Sequence, residues 1–357
     1  MNILFAGQIS AFGGFSNARS RLDTFIHSGH GVVAVDTTLP RRALRPRLSW
    51  HLMGYPVDVR GVNKQIMQHV HQTSFDILWV DKGISIAPQT LRYLKAVQPH
   101  MLLVHYNPDD PFGAYRSGWQ RFLQCLPLYD VHFVPRRVNI REYYAAGARE
   151  VRRFYRGYNP VVCKPLQLTC EEQAEFGVDI GFIGTFETHR SQMLLMLAES
   201  GLTVSIRGGG WERWKNRHPN LRVQDPIFGP AYAQTICATR INLHFLRKGN
   251  RDEHNTRSVE IPACGSFMLA ERTEDHCHLF VEGHEAEFFA TEQELLTKVR
   301  YYLEHPQARS RIAVAGRERS LRSGYSNTER LQEMLDGLSQ FSMSCEATES
   351  RLIKVEK

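Results

Sequence analysis

The sequence predicts an α/β protein made of two Rossmann-like, doubly wound domains facing a cleft. Three observations carry that prediction. Short apolar runs of strand length alternate with helical patterns, a second set of the same alternation follows the first, and a Pro-containing polar stretch separates the two. A length of 357 residues suits two cores of this kind better than one.

In the first half, NILFAG, VVAVD, DILWVD, HMLLVHY and DVHFVP read as buried parallel strands, each ending in a polar loop. Helical patterns over 17–27, 62–73 and 88–97 lie between them. The segment GYNPVVCKPLQLTCEEQ has the composition of a linker, so the junction is expected near 158–175. A second set then begins at VDIGFIGT and continues through LTVSIRG, INLHFL and SFMLA to helices over 292–304 and 306–322. The expected domains are 1–165 and 166–340, with a helix around 328–338 packing back on the first half and a polar tail over 341–357. Within 301–322 the charges recur at helical spacing, as on an exposed face.

Composition narrows the function classes. A formal charge of +7 with Lys and Arg scattered, and no dense basic run with stacking aromatics, argues against a nucleic-acid surface. MNILFAGQIS lacks the basic start and apolar stretch of a signal peptide, and no run reaches the roughly 20 apolar residues of a membrane span, so a cytoplasmic protein is expected. Seven Cys with no C-x-x-C pair are expected as reduced thiols. His276, Cys277 and His278 are adjacent, and neighbours in sequence point in different directions, so no metal site is expected there.

Open α/β sheets bind ligands beyond the carboxyl ends of their strands, and four loops compete for that role. In GQISAFGGFSN, Gly13 and Gly14 either let backbone amides approach a ligand or form a flexible turn; the spacing is wrong for a nicotinamide-dinucleotide fingerprint. In HYNPDDPFG, Asp109 and Asp110 either act on a hydroxyl as base or orienting group, or cap a plain turn. His105 is either a ligand contact or a satisfied, half-buried core histidine. After DIGFI comes GTFETHR with Arg190, and after LTVSI comes RGGGW, where Arg207 and three glycines border a strand end and Trp211 is expected in the core.

The fourth loop, RDEHNTRSVEIPACGSFMLAERT, concentrates polar chemistry between two apolar runs. A short helix is expected from about Ser258, with Pro262 in its first turn and Gly265 at its C-terminal cap. Glu260 then lies near a helix start, where a carboxylate can accept two hydrogen bonds from a diol such as a ribose. Arg251, Arg257 and Lys248 stand beside it, and Arg suits bidentate phosphate recognition.

At these residues the chain resembles the GT-B glycosyltransferases of the CgeB and YkvP spore-protein type, related to the retaining family that includes glycogen synthase. The resemblance covers Asn250 to Arg330, including RSVEIPACG, LFVEGHEAEFFATEQELLTKVRYYLEHP and IAVAGRERSL. In the wider retaining group two Glu separated by seven residues line the donor site. Glu260 matches the second, and Asp252 stands where the first would be.

What the resemblance implies is transfer of a sugar from a nucleotide-diphosphate sugar, a co-substrate and not a resident cofactor, to an acceptor of unidentified class: glycan, lipid, protein or small molecule. It implies donor contacts from Gly13, Gly14, Arg190, Arg207, Arg251, Asp252, Arg257 and Glu260, with arginines neutralising the diphosphate in place of a metal. Asp110, Asp109 or His105 would orient or deprotonate the acceptor. The same fold also accommodates a nucleotide-sugar epimerase or a non-catalytic sugar or nucleotide binding protein.

Overall fold

The computed structural model describes residues 1–40, 44–114 and 118–339. The tail expected over 341–357 lies outside the described residues. In the first half the chain runs β1 (Asn2–Gly7), α1 (Asn17–His27), β2 (Gly31–Asp36), α2 (Leu44–Met53), α3 (Val62–Gln72), β3 (Ile77–Asp81), α4 (Pro88–Val97), β4 (Leu102–Tyr106), α5 (Gln120–Cys125), β5 (Val131–Val134), α6 (Arg137–Ala145) and β6 (Val151–Arg153). The second half holds α7 (Cys170–Phe176), β7 (Val178–Ile183), α8 (Thr188–Glu199), β8 (Val204–Arg207), β9 (Leu221–Gln224), α9 (Pro230–Ala238), β10 (Thr239–His244), α10 (Arg257–Ala263), β11 (Met268–Glu271), α11 (Glu274–Leu279), β12 (Glu287–Phe289), α12 (Glu292–Glu304) and α13 (Pro306–Arg322). A last helix, α14, covers 327–339.

Local chemistry explains the clearest elements. Ser16 caps α1 by accepting from the Arg19 amide, and Leu22 and Phe25 on one face reach the core. Pro88 opens α4, where its missing N–H costs no bond. Thr291 caps α12 through the Glu294 amide. All five residues of β3 are buried, as expected for a parallel strand covered on both faces.

The strands form two six-stranded sheets, ordered β2-β1-β3-β4-β5-β6 and β12-β11-β10-β7-β8-β9. Their pairings are parallel. Counted from its own first strand, the second sheet has the classical Rossmann order, whereas the first has the flavodoxin-like order with one strand added. The topological switch points are therefore β1/β3 and β7/β10. The sequence reading missed β6, β9 and β12, which have three or four residues each and too little length for a periodicity to register.

Apolar clusters cover both faces of each sheet. The chain returns to its first domain at the end: Leu331, Met334, Leu335 and Leu338 of α14 pack with Ile3, Phe5, Trp79 and Val104. Burial of each such side chain contributes about 2 kcal/mol, which ties the two domains through one helix. The outgoing and returning crossings lie side by side, with the Tyr158 amide donating to Tyr325 O at 3.1 Å and the Asn327 amide to Tyr158 O at 2.7 Å. A Cβ on Gly157 would sit 2.9 Å from the Asn327 nitrogen, so only glycine fits between the strands of this crossing.

One local expectation is corrected. α10 begins at Arg257, and Pro262 lies in its last turn, not its first. A seven-residue helix loses one internal bond there, and Pro262 instead packs against Gly316 of α13. Gly265, at φ +69°, ends the helix as expected. Its amide donates to Pro262 O and that of Ser266 to Ile261 O, a Schellman pattern.

Candidate functional site

The carboxyl ends of the two sheets meet across the cleft, and the loop after β10 bridges them. Its turn Lys248–Asn250 ends on Arg251 in the left-handed region at φ 47°. From there the Arg251 guanidinium reaches Asp110 of the first domain, with Nε to Oδ2 2.6 Å and Nη2 to Oδ1 2.9 Å, and also pairs with Glu142 of α6 at 2.8 Å. The Asp110 amide donates to Asn250 Oδ1 at 3.0 Å, and the Ala114 amide to Gly249 O at 2.9 Å. Asp252 pairs with Arg136, both buried, and Arg136 and Arg156 donate to the Pro108 carbonyl. Beneath these, His254 donates from Nδ1 to Asp275 at 2.7 Å and accepts the Arg156 amide at Nε2.

The charges that the sequence concentrates at one strand end are therefore divided. Arg251 and Asp252 turn toward the first domain, where their partners are Asp110 and Arg136. Burial raises the Asp110 pKa, but bonds from Arg251 and Asn139 outweigh it and hold the carboxyl below the usual range. At Asp109, burial is likewise overcome by Lys82, whose ammonium lies 2.5 Å away. Carboxylates held so firmly in the ionised form are weak bases.

Two further candidates prove to be interior residues. His105 is wholly buried, stacked 4.5 Å from Phe122 and 3.1 Å from the His132 ring nitrogen, so it packs the first core and does not face the cleft. Burial, then His132, pushes its pKa well down. Arg190, 1% exposed, donates to the carbonyls of Thr185 at 2.8 Å and Phe245 at 3.1 Å. Its guanidinium thus joins the loops after β7 and β10 at the switch point and does not extend toward a phosphate. Arg207 ends β8 with its guanidinium 5.9 Å over Phe176 of α7. Gly13 and Gly14 have φ of 68° and 90°, conformations that glycine adopts without a steric cost, and the neighbouring Phe12 stacks on Phe228 of the second domain at 5.0 Å.

The edge of the second sheet at its switch point holds what remains. Glu260, in the first turn of α10, accepts the Tyr232 hydroxyl at 2.6 Å. Burial raises its pKa against the pull of Tyr232 and Arg257. Arg257 has no ion pair among the described residues, and its buried Nε has no hydrogen-bond partner there. Glu271, ending β11, accepts the Leu246 amide at 2.7 Å, His189 Nε2 at 2.8 Å and the Lys248 ammonium at 3.0 Å. The first amides of α8, at Thr188, His189 and Arg190, open toward this edge with no partner within the helix, a natural anion seat.

Glycine sets the shape of the edge. A Cβ on Gly208 would stand 1.9 Å from the Gly184 carbonyl oxygen, so the loops after β7 and β8 touch through backbone. Trp211 is buried as expected and donates from Nε1 to Gly184 O at 2.8 Å. Sequence reasoning missed Tyr232, His189 and Glu271. Only Glu271 had a usable signal, as the first charge after the strand SFMLA. His276 is buried, bonded to Ser258 and Glu271 O, whereas Cys277 is exposed and His278 stacks on Tyr155, so the adjacent triplet diverges.

Comparison with known proteins agrees with this arrangement. Residues 190–336 match the family model described as glycosyl transferase-like. A comparison with curated protein sequences finds no match. Among solved structures, the chain is similar to a sucrose-phosphate synthase from Thermosynechococcus elongatus, with TM-score 0.67, 11% identity and coverage of 96% of this chain and 100% of that one. It is also similar to HepE of Anabaena in complex with UDP-glucose, with TM-score 0.65, 16% identity, and 95% and 100% coverage. A UDP-GlcNAc 2-epimerase from Neisseria meningitidis bound to UDP-GlcNAc is less similar, with TM-score 0.54, 12% identity, and 95% and 100% coverage. The fold is that of the GT-B glycosyltransferases, and the match to the glycosyl transferase-like model lies within residues 190–336.

Proposed function

We propose that the protein is a glycosyltransferase that moves a sugar from a nucleotide-diphosphate sugar to an acceptor, with the donor held at the carboxyl edge of the second sheet. The observation that carries this reading is the state of Glu260 and Arg257. Both belong to α10 inside the glycosyl transferase-like stretch, and both lack an ion-pair partner among the described residues, whereas Arg251, Asp252 and Glu271 beside them are engaged.

In this reading Glu260, oriented by Tyr232, accepts two hydrogen bonds from the ribose diol. Arg257, Lys248 and the first amides of α8 take the diphosphate, supplying the positive charge that the leaving group needs as the glycosidic bond breaks, without a metal. The presence of UDP-glucose in the HepE structure supports a uridine diphosphate hexose as the first donor to try. The block RSVEIPACG supports the narrower CgeB and YkvP type. The acceptor would enter from the side of the first domain. No helix among the described residues is long and apolar enough to cross a membrane, and we place the reaction in the cytoplasm.

The test is thermal-shift screening with uridine, guanosine, adenosine and thymidine diphosphates and their sugar conjugates, on wild type and Glu260→Ala. A ligand that raises the Tm of the wild type alone supports the donor site. No shift with any of them sinks it. The epimerase reading, favoured by the Neisseria similarity, requires the sugar nucleotide to be isomerised with no acceptor added. A binding protein would leave it unchanged under every condition.

A further inference from the structure

Helix α2 is an insertion at the carboxyl edge of the first sheet. It lies between the end of β2 and the start of α3, and in a parallel α/β unit the crossover helix begins at the edge where the preceding strand ends. One side of α2 holds it to the domain. Pro46 and Ser49 are buried, the Ser49 hydroxyl accepts the Val57 amide at 2.9 Å, and Trp50 packs partly buried against the first core.

The other side turns apolar side chains outward. Leu48 is 62% exposed and Leu52, one turn later, 75%; the exposed Arg45 stands one turn before Leu48. Met53 at the helix end is also exposed. The start of α5 continues this surface. A Cβ on Gly54 would stand 2.2 Å from the Gln120 carboxamide, and one on Gly118 2.2 Å from the Trp50 ring, so the end of α2 lies directly against α5. There the Arg121 guanidinium sits 3.9 Å over the Tyr55 ring. The stretches 44–57 and 118–128 carry Arg45, Arg47 and Arg121 and no Asp or Glu.

We propose that this face, with Leu48, Leu52 and Met53 beside Arg45 and Arg121, docks on an anionic bilayer surface. Leucines on the outside of a short helix leave water when they enter the acyl boundary, and arginines beside them meet lipid phosphates at the headgroup level. Other occupants match the face less well. A second copy seated about a two-fold axis would bring the same arginines together, and like charges repel. Nucleic-acid phosphates would engage the arginines and leave the leucines in water. Docking at the cleft-facing edge brings the acceptor side of the cleft to the membrane, so the acceptor class is a lipid or a glycan carried on one. That consequence rests on the glycosyltransferase reading above, whereas membrane docking does not.

The test is co-sedimentation of the full chain with vesicles of phosphatidylglycerol and phosphatidylcholine in equal parts, and with vesicles of phosphatidylcholine alone. The expected result is binding to the mixed vesicles that weakens as salt rises, with little binding to phosphatidylcholine. Replacing both exposed leucines, Leu48→Ser with Leu52→Ser, should lower the partition coefficient roughly tenfold or more, and Arg45→Gln about 5-fold. On the wild type, amide hydrogen exchange over 44–57 should slow when mixed vesicles are added, a readout that needs no variant. Absence of wild-type binding to the mixed vesicles overturns the proposal, as does an unchanged partition coefficient in the leucine variant. A dimer that only the leucine variant dissociates, with no vesicle binding, assigns the face to a second copy and overturns it too. So does duplex DNA binding that Arg45→Gln weakens and the leucine variant retains. No nucleotide enters these measurements, so their failure is separate from failure of the donor-site reading.

Discussion

Arg251 and Asp110, 141 residues apart in the chain, close a two-point fork between the domains at 2.6 and 2.9 Å. The Asp110 side chain is completely buried and that of Arg251 is 34% exposed. A cation and a carboxylate drawn to opposite sides of a substrate by sequence reasoning thus hold each other, and with Asp252 and Arg136 they fasten the loop after β10 to the first domain.

Replacing Arg251 by Ala leaves the Asp110 carboxylate buried without its cation. The expected loss is about 2 kcal/mol, below the range for a fully enclosed pair because water reaches part of Arg251. Urea unfolding of Arg251→Ala, Asp110→Ala and the double variant measures it. The double variant should lose less than the two single losses combined; simple addition would mean that the fork contributes nothing.

Acid should weaken the fold through two buried histidines. Burial brings His132 and His254 down to about 4 in the native state, from an ordinary value near 6.5. The unfolded chain then binds protons that the native state refuses. Their stabilising contribution is complete above about pH 6.5 and is lost as the pH falls toward about 4. His132→Gln should flatten the dependence of unfolding free energy on pH across that window, and curves that stay parallel to wild type would rule out this origin.

Glu260→Gln removes a charged acceptor from the candidate ribose site. Loss of charge-assisted hydrogen bonds should weaken the binding nucleotide by roughly 10- to 100-fold. Tyr232→Phe, which frees Glu260 but leaves its charge, should cost about 5-fold. Calorimetric titration distinguishes them, and unchanged affinity in both variants would move the donor elsewhere.

Arg257→Met keeps the length of the side chain and deletes the guanidinium. The nucleoside diphosphate should lose roughly tenfold or more in affinity, with the matching nucleoside almost unaffected. An equal loss for both ligands would show that Arg257 supports the loop and does not meet phosphate.

The boundaries of α1, α4, α12 and α13 could be read directly from the chain, because each is marked by a cap, a proline or a sustained apolar period. The strands of the two sheets were equally legible wherever burial on both faces made a continuous apolar run, as in β1 and β3. β6, β9 and β12 were not, since three or four residues with one or two polar side chains among them look like any loop. Glu260 stood out because the charge-rich loop before it and Gly265 after it implied a short helix from about Ser258, although Pro262, expected in the first turn, lies in the last.

By itself the sequence determined the two doubly wound domains and the segments whose polar residues gather at strand ends, because both follow from periodicities and turn residues that act over a few positions. Only the tertiary structure decided which of those polar residues remain open. Arg190 is spent on the carbonyls of Thr185 and Phe245, His105 on the first core, and Arg251 on Asp110. Coulombic pairing and burial act through space, so the partner that neutralises a side chain can lie more than a hundred residues away and leaves no mark in the sequence around it.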